Sequence, residues 1–117
     1  MLRKGAGRLV GVGPGAAAVF AALGDETRLE IVARLCSGGP MSIARLTEGA
    51  KVTRQAITKH LHVLAEAGLA RGRRVGRDQI WEIEARRLQE ARRWLDHIEA
   101  QWDDALGRLK ASLESDE

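Results

Sequence analysis

Tyrosine is absent from this chain of 117 residues, phenylalanine occurs once and tryptophan three times. A core so poor in aromatics is built from Leu, Ile, Val and Ala, which suits helices. Cysteine occurs once, at Cys36, so no internal disulfide can form. No apolar run reaches the length of a membrane span and no secretory signal is present, so a cytoplasmic protein with no membrane partner is expected. No nucleophile, base and orienting group can be assembled from the motifs, so neither an enzyme nor a cofactor is expected. The basic region contains no aromatic before Trp81, which disfavours a reader of single-stranded RNA. The length fits one domain with a modest core, small enough for a dimer interface to matter to its stability.

The most informative segment runs from Thr53 to Gly68. Ile57, Leu61, Leu64, Ala65 and Gly68 recur at three- and four-residue steps and share one apolar face of a helix. Gln55, Thr58, Lys59 and His62 lie on the other face, with Arg54 and His60 at its borders. Thr53 supplies an N-cap oxygen and Gly68 a left-handed stop. The following stretch, Leu69 to Ile83, is two short runs about a Gly-containing tip and reads as a hairpin bearing four arginines.

From Lys51 to Arg77 there are seven Lys or Arg against one acid, Glu66, a formal +6; from Glu82 to Glu117 six basic residues face ten acids, a formal −4. The whole-chain value of +3 therefore hides a polarised molecule, whose basic end is drawn to a polyanion. A helix with a polar, basic face and a basic hairpin beside it is what double-stranded DNA requires. On this reading Gln55, Thr58 and His62 meet base edges, while Arg54, Lys59, His60 and the hairpin residues Arg73, Arg74 and Arg77 hold phosphates. Trp81 is read as core at the root of the hairpin.

Residues 1–15, rich in Gly with scattered Arg and Lys, read as a flexible arm. The glycines of Gly11 to Gly15 have the wrong spacing for a nucleotide loop; a backbone-touching basic arm is the better role. Residues 16–117 form the domain. A first helix, about Ala16 to Leu23, is apolar nearly all round and is expected to be buried between neighbours. Gly24 stops it, and Asp25 caps a second helix through Cys36. Leu29, Val32 and Cys36 share one face of that helix and Ile31 and Leu35 another, as if it were wedged between two elements. Ser37 to Pro40 breaks the chain, and Ser42 caps a short helix with Ile43 and Leu46 inward. A long last helix, about 85–113, carries Leu88, Ala91, Leu95, Ile98, Trp102, Ala105 and Leu109 at alternating steps of three and four, widened by Trp94, Leu106 and Leu113. That seam either folds back on its own core or makes a dimer with the first helix or its symmetry mate. The expected architecture is mainly α with a small β-hairpin wing, a winged helix-turn-helix that dimerises through its terminal helices, with Leu88, Leu95, Ile98, Trp102 and Leu109 at the interface.

Leu23 to Val32, with its Asp25-Glu26-Thr27-Arg28-Leu29 core, and Thr53 to Leu64, with Gln55-Ala56-Ile57-Thr58-Lys59-His60-Leu61, carry a resemblance. From about Val19 to Leu113 the chain resembles the ArsR-type winged-helix repressors of bacteria. Its last helix, with Trp94-Leu95 and Trp102, is similar to the branch often encoded beside small lipid-binding-type domain proteins. The resemblance implies a homodimer that represses transcription by occupying an operator in double-stranded DNA. Many members release DNA when a metal or an oxidant reaches a cysteine site. Here the helix from Ser42 to Glu48 has no cysteine pair, so no metal is expected. Asp96, His97, Asp103 and Asp104 read as a solvated acidic face, and Cys36 as a small core residue. An inducer is not identified by these residues. The rival reading is a helical protein-binding adaptor on a winged-helix scaffold.

Overall fold

The computed structural model describes residues 13–115, so the arm proposed for residues 1–15 lies, apart from Gly13 to Gly15, outside them. Five helices and three strands follow in the order α1 (Ala16–Leu23), α2 (Glu26–Gly38), β1 (Met41–Ser42), α3 (Ile43–Thr47), α4 (Arg54–Glu66), β2 (Ala70–Val75), β3 (Asp78–Ile83) and α5 (Ala85–Ser115). The fold is a winged helix-turn-helix.

Three helix starts carry the side-chain caps expected of them. The Asp25 carboxylate accepts from the Arg28 N–H, Ser42 Oγ from Arg45 N–H at 3.2 Å and Thr53 Oγ1 from Ala56 N–H at 3.1 Å. Each satisfies one backbone donor that the first helical turn leaves free. α4 ends as its sequence suggests. Gly68 takes a φ of +80°, its N–H donates to Ala65 O, and Leu69 N–H reaches back to Leu64 O at 2.9 Å. This paired closure needs a residue free of a Cβ penalty at Gly68. It also brings the fully buried Leu64 and Leu69 together.

The core collects Val19, Ile31, Leu35, Leu46, Ile57, Leu61, Leu64 and Leu69 from α1 to α4 and the loop after it, closed by Trp81 of β3 and by Ala91 and Trp94 of α5. Phe20 meets Trp94 edge-on at 5.9 Å. Gly13 lies against the same indole, where a Cβ would come within 3.2 Å of Nε1, so the packed fold begins a few residues before α1.

Four expectations change. α1, which packs against α2, α4 and α5, buries only Ala16, Val19 and Ala22; Ala17, Ala18 and Ala21 remain exposed. α2 buries Ile31, Val32 and Leu35 but leaves Leu29 and Cys36 outside, so Cys36 is not a core residue. The hairpin is the larger part of a three-stranded antiparallel sheet ordered β1-β3-β2, with Met41 opposite Trp81. Leu88, assigned to a dimer seam, packs against its own chain's core.

Beyond Trp94 the long helix leaves the body of the chain. A helix of 31 residues is about 46 Å long. The molecule accordingly extends over 69 × 35 × 21 Å with a radius of gyration of 19.2 Å, against about 13 Å for a compact domain of this size.

Candidate nucleic-acid interface

α4 is held by its neighbours on one face and bare on the other. Ile57, Leu61 and Leu64 are buried, while Arg54, Gln55, Lys59 and His62 are exposed. Thr58 is partly buried, and its hydroxyl donates back to Arg54 O at 2.9 Å. His62 stands edge-on to Trp81 at 5.8 Å, at the cleft between α4 and the wing that Thr58, Gly72 and Gln79 also line.

His60 lies apart from this set. Its Nδ1 is 3.3 Å from Arg28 Nη1 and 3.8 Å from Asp25 Oδ2, so the ring faces the start of α2. The wing also divides. Arg71 and Arg73 both donate to Glu82 Oε1 at 3.1 Å, and Arg71 approaches Glu84 at 3.5 Å. Arg74 pairs in register with Gln79 on the face that carries Gly72 and Trp81, and Arg77 sits at the tip beside Gly76. Neither has an ion-pair partner among the described residues.

A count along the chain assigned Glu82 to the acidic end, whereas the strand register folds it against the basic hairpin. The signal was legible: a two-residue tip at Gly76-Arg77 sets Val75 opposite Asp78 and hence Arg71 opposite Glu82. These exposed pairs contribute only about 0–1 kcal/mol each, so Arg73, with a half-exposed side chain, stays available to a stronger anion.

Three arginines outside the exposed face hold the frame, and sequence reading assigned none of them. Arg28 Nε donates to Ala22 O at 2.6 Å, tying the end of α1 to α2. Arg34 donates to Leu46 O at 2.7 Å and Arg45 O at 3.1 Å, satisfying carbonyls at the end of α3. Arg87 donates to Ala67 O at 3.2 Å and to Glu90, and lies 5.6 Å from the Trp94 ring centre. Its stem fills the space over Gly68, where a Cβ would come within 3.2 Å of Nε.

Comparison with known proteins agrees with this arrangement. Residues 23–73, the span from the end of α1 to mid-β2, match the helix-turn-helix domain family. An uncharacterized HTH-type transcriptional regulator of Methanocaldococcus jannaschii is 31% identical over 83 residues, 71% of this chain and 93% of the relative. The solved structure of an ArsR-like transcriptional regulator from Rhodococcus sp. RHA1 is 39% identical, with a TM-score of 0.73 over 83% of this chain and 91% of that one. This chain belongs to the ArsR-type winged helix-turn-helix regulators. The same fold recurs in a homodimeric winged helix-turn-helix DNA-binding domain from Mycobacterium bovis, 23% identical, with a TM-score of 0.59 over 80% of this chain and 83% of that one.

As an ArsR-type regulator the protein is a DNA-binding regulator of transcription, and a scaffold serving only as a protein adaptor is not favoured. No helix among the described residues is long and apolar enough to cross a membrane. Nor do the described residues contain a group of three or more His, Cys, Asp or Glu that could hold a metal ion. Asp96, Asp103 and Asp104 are exposed, but His97 is not on a freely solvated face: its Nε2 is buried with no partner among the described residues.

Proposed function

We propose that this regulator is a homodimeric repressor, which occupies an operator with α4 in the major groove and the wing on the adjacent backbone. The carrying observation is the bare polar face of α4, Arg54 to His62, set beside a wing whose Arg74 and Arg77 make no ion pair among the described residues. In this reading Gln55, Thr58 and His62 address base edges, and Arg54, Lys59, Arg73, Arg74 and Arg77 hold phosphates. His60, occupied by Arg28, is moved from the phosphate set to an internal role.

Dimerisation is supported by α5. Leu95, Ile98, Trp102 and Leu109 are 55%, 40%, 62% and 57% exposed, with Leu106 and Leu113 alongside. A stripe of that size does not stay in water without cost. The exposed alanines of α1 add apolar surface on a helix that contacts α5. Homodimerisation of the Mycobacterium bovis domain is in keeping with this. Two heads related by a two-fold axis reach half-sites about 34 Å apart, and their occupancy of a promoter blocks it to polymerase. Repression of its own gene is the simplest circuit, and the cytoplasm is where it would act.

The deciding experiment titrates purified protein against its own upstream DNA and a scrambled duplex of equal length, at two salt concentrations. Selective binding whose affinity falls with a log-log slope of about −0.9 per phosphate neutralised is expected. Equal, salt-insensitive binding to both duplexes would sink the proposal.

A further inference from the structure

Of the groups that the DNA-reading assignment leaves unused, the best connected are Asp25, Arg28 and His60. One guanidinium joins three helices. Arg28 Nε and Nη2 donate to Ala22 O (2.6 Å) and Ala21 O (3.4 Å) at the end of α1, while Nη1 lies 3.3 Å from His60 Nδ1 on α4. Arginine carries donors only, so Nδ1 is the acceptor and the proton of the neutral ring sits on Nε2. Asp25 Oδ2, 3.8 Å from the same Nδ1, already accepts the backbone N–H of Arg28 at 3.0 Å.

The imidazole thus stands between a cation that needs its lone pair and a carboxylate that would welcome its proton. α1 contains no titratable side chain. The residues one turn away from His60 on α4, Ala56, Ile57, Val63 and Leu64, are uncharged. Among the described residues, Asp25 and Arg28 are therefore the charged groups that face the ring.

We propose that Arg28 is a positioning residue for the recognition helix, linking it through neutral His60 to the end of α1, and that protonation of His60 exchanges this bond for one to Asp25. Protonated Nδ1 has no lone pair for Arg28 and repels the guanidinium. It donates instead to the Asp25 carboxylate, whose Oδ2 lies 3.8 Å away. The link from α1 to α4 then opens, and the recognition helix loses one of its fixed points. The proposal rests on α4 being the DNA-reading element. Its consequence runs against the usual trend: acid normally tightens DNA binding by charging histidines, whereas here it lowers selectivity for the operator.

The test uses full-length protein and a duplex selected by the wild type from a random pool, with a scrambled duplex as control. His60→Asn keeps an acceptor near the position of Nδ1 but cannot be charged. It is expected to bind within about 3-fold of wild type at about pH 8. On acidification to about pH 5.5, in the range where histidine charges, wild type should lose about 10-fold in the ratio of selected to scrambled affinity, and His60→Asn much less. Every other ionisable side chain is common to the two proteins, so the difference isolates His60. His60→Leu and Arg28→Lys should each lose about 10-fold on the selected duplex with an unchanged salt slope.

A phosphate contact at His60 would instead weaken both duplexes alike and lower the slope, and that result overturns the proposal, as do identical pH profiles for wild type and His60→Asn. The ring ¹⁵N shifts of His60, read without DNA, should report the Nε2–H tautomer. An Nδ1–H tautomer in a selective wild type sinks the link alone. If the wild type selects no sequence, the DNA assignment of α4 falls first and the proposed role falls with it.

Discussion

Gln55 and Arg77 illustrate two different ways a side chain can serve the same interface. Gln55 is exposed in the first turn of α4 and can hydrogen-bond a base edge with its amide oxygen accepting and its amide NH2 donating, a contact that discriminates by about 1–3 kcal/mol. Gln55→Ala should therefore flatten sequence preference at one operator position, measured by binding to a set of single-base variants. Arg77, at the wing tip, is assigned to the backbone in the proposed complex: Arg77→Ala should weaken every duplex alike and lower the salt slope by about 1. Matching, sequence-independent losses in the two variants would disprove the division. Gly72 carries a different burden. A Cβ there would lie 3.2 Å from Trp81 Cε2 and Cζ2 and 2.5 Å from Gln79 Nε2. Gln79 can swing aside, but the indole, 6% exposed, cannot. Gly72→Val should cost about 1–3 kcal/mol by overpacking, seen as a lower denaturation midpoint; an unchanged midpoint would mean that the wing root is loosely packed. These residues also mark what the chain made legible. The outward face of α4 followed from helical spacing, but the inward turn of His60 did not, because it depends on an arginine 32 positions away.

Helix ends are where this fold can be read and perturbed with least ambiguity. Caps are local chemistry, so Asp25, Ser42, Thr53 and Gly68 could be assigned from neighbours in the chain. β1 could not: two residues show no period, and Met41–Ser42 is a strand only because β3 lies beside it. The one-sided burial of α1 was hidden for a similar reason, since apolar composition alone does not say which side of a helix its neighbours take. Asp25 offers a measurable test at this scale. The Arg28 backbone N–H that it accepts holds its carboxyl below the ordinary value of 3.8; burial opposes this, and the charges of Arg28 and His60 add to it. A carboxylate with a depressed folded value stabilises the fold at pH above the unfolded value and loses that contribution as pH falls through the folded one. Asp25→Ala should thus melt below wild type at neutral pH, with no narrowing of the gap above about pH 4 and a narrowing in more acid solution. A gap of constant size from neutral pH to about pH 2.5 would mean that the cap acts without its charge.

At the scale of the whole molecule, the distribution of apolar side chains divides the chain into a finished half and an unfinished one. Ala91 and Trp94 complete the core, and every large apolar residue of α5 after Trp94 is exposed. Lys51 to Arg77 is formally +6 and Glu82 to Glu117 formally −4, so an apolar association through α5 joins two copies by their acidic segments rather than their basic ones. Trp102, 62% exposed, is the largest member of the stripe and touches nothing essential to the single chain's core. Trp102→Glu should leave the helical content and the core intact. A two-fold axis places the changed residue on both partners, so each dimer would bury two uncompensated carboxylates, and at micromolar protein the variant should sediment as a monomer. Its loss on DNA should be larger than any loss from a single phosphate contact, because the second half-site ceases to be linked to the first and the effective concentration it supplied is gone. A duplex with one half-site should bind wild type and variant with similar affinity, and a duplex with two should favour wild type strongly. If Trp102→Glu remains dimeric, the interface runs through α1 or elsewhere, and the exposed stripe of α5 must be covered by something other than a second copy of this chain.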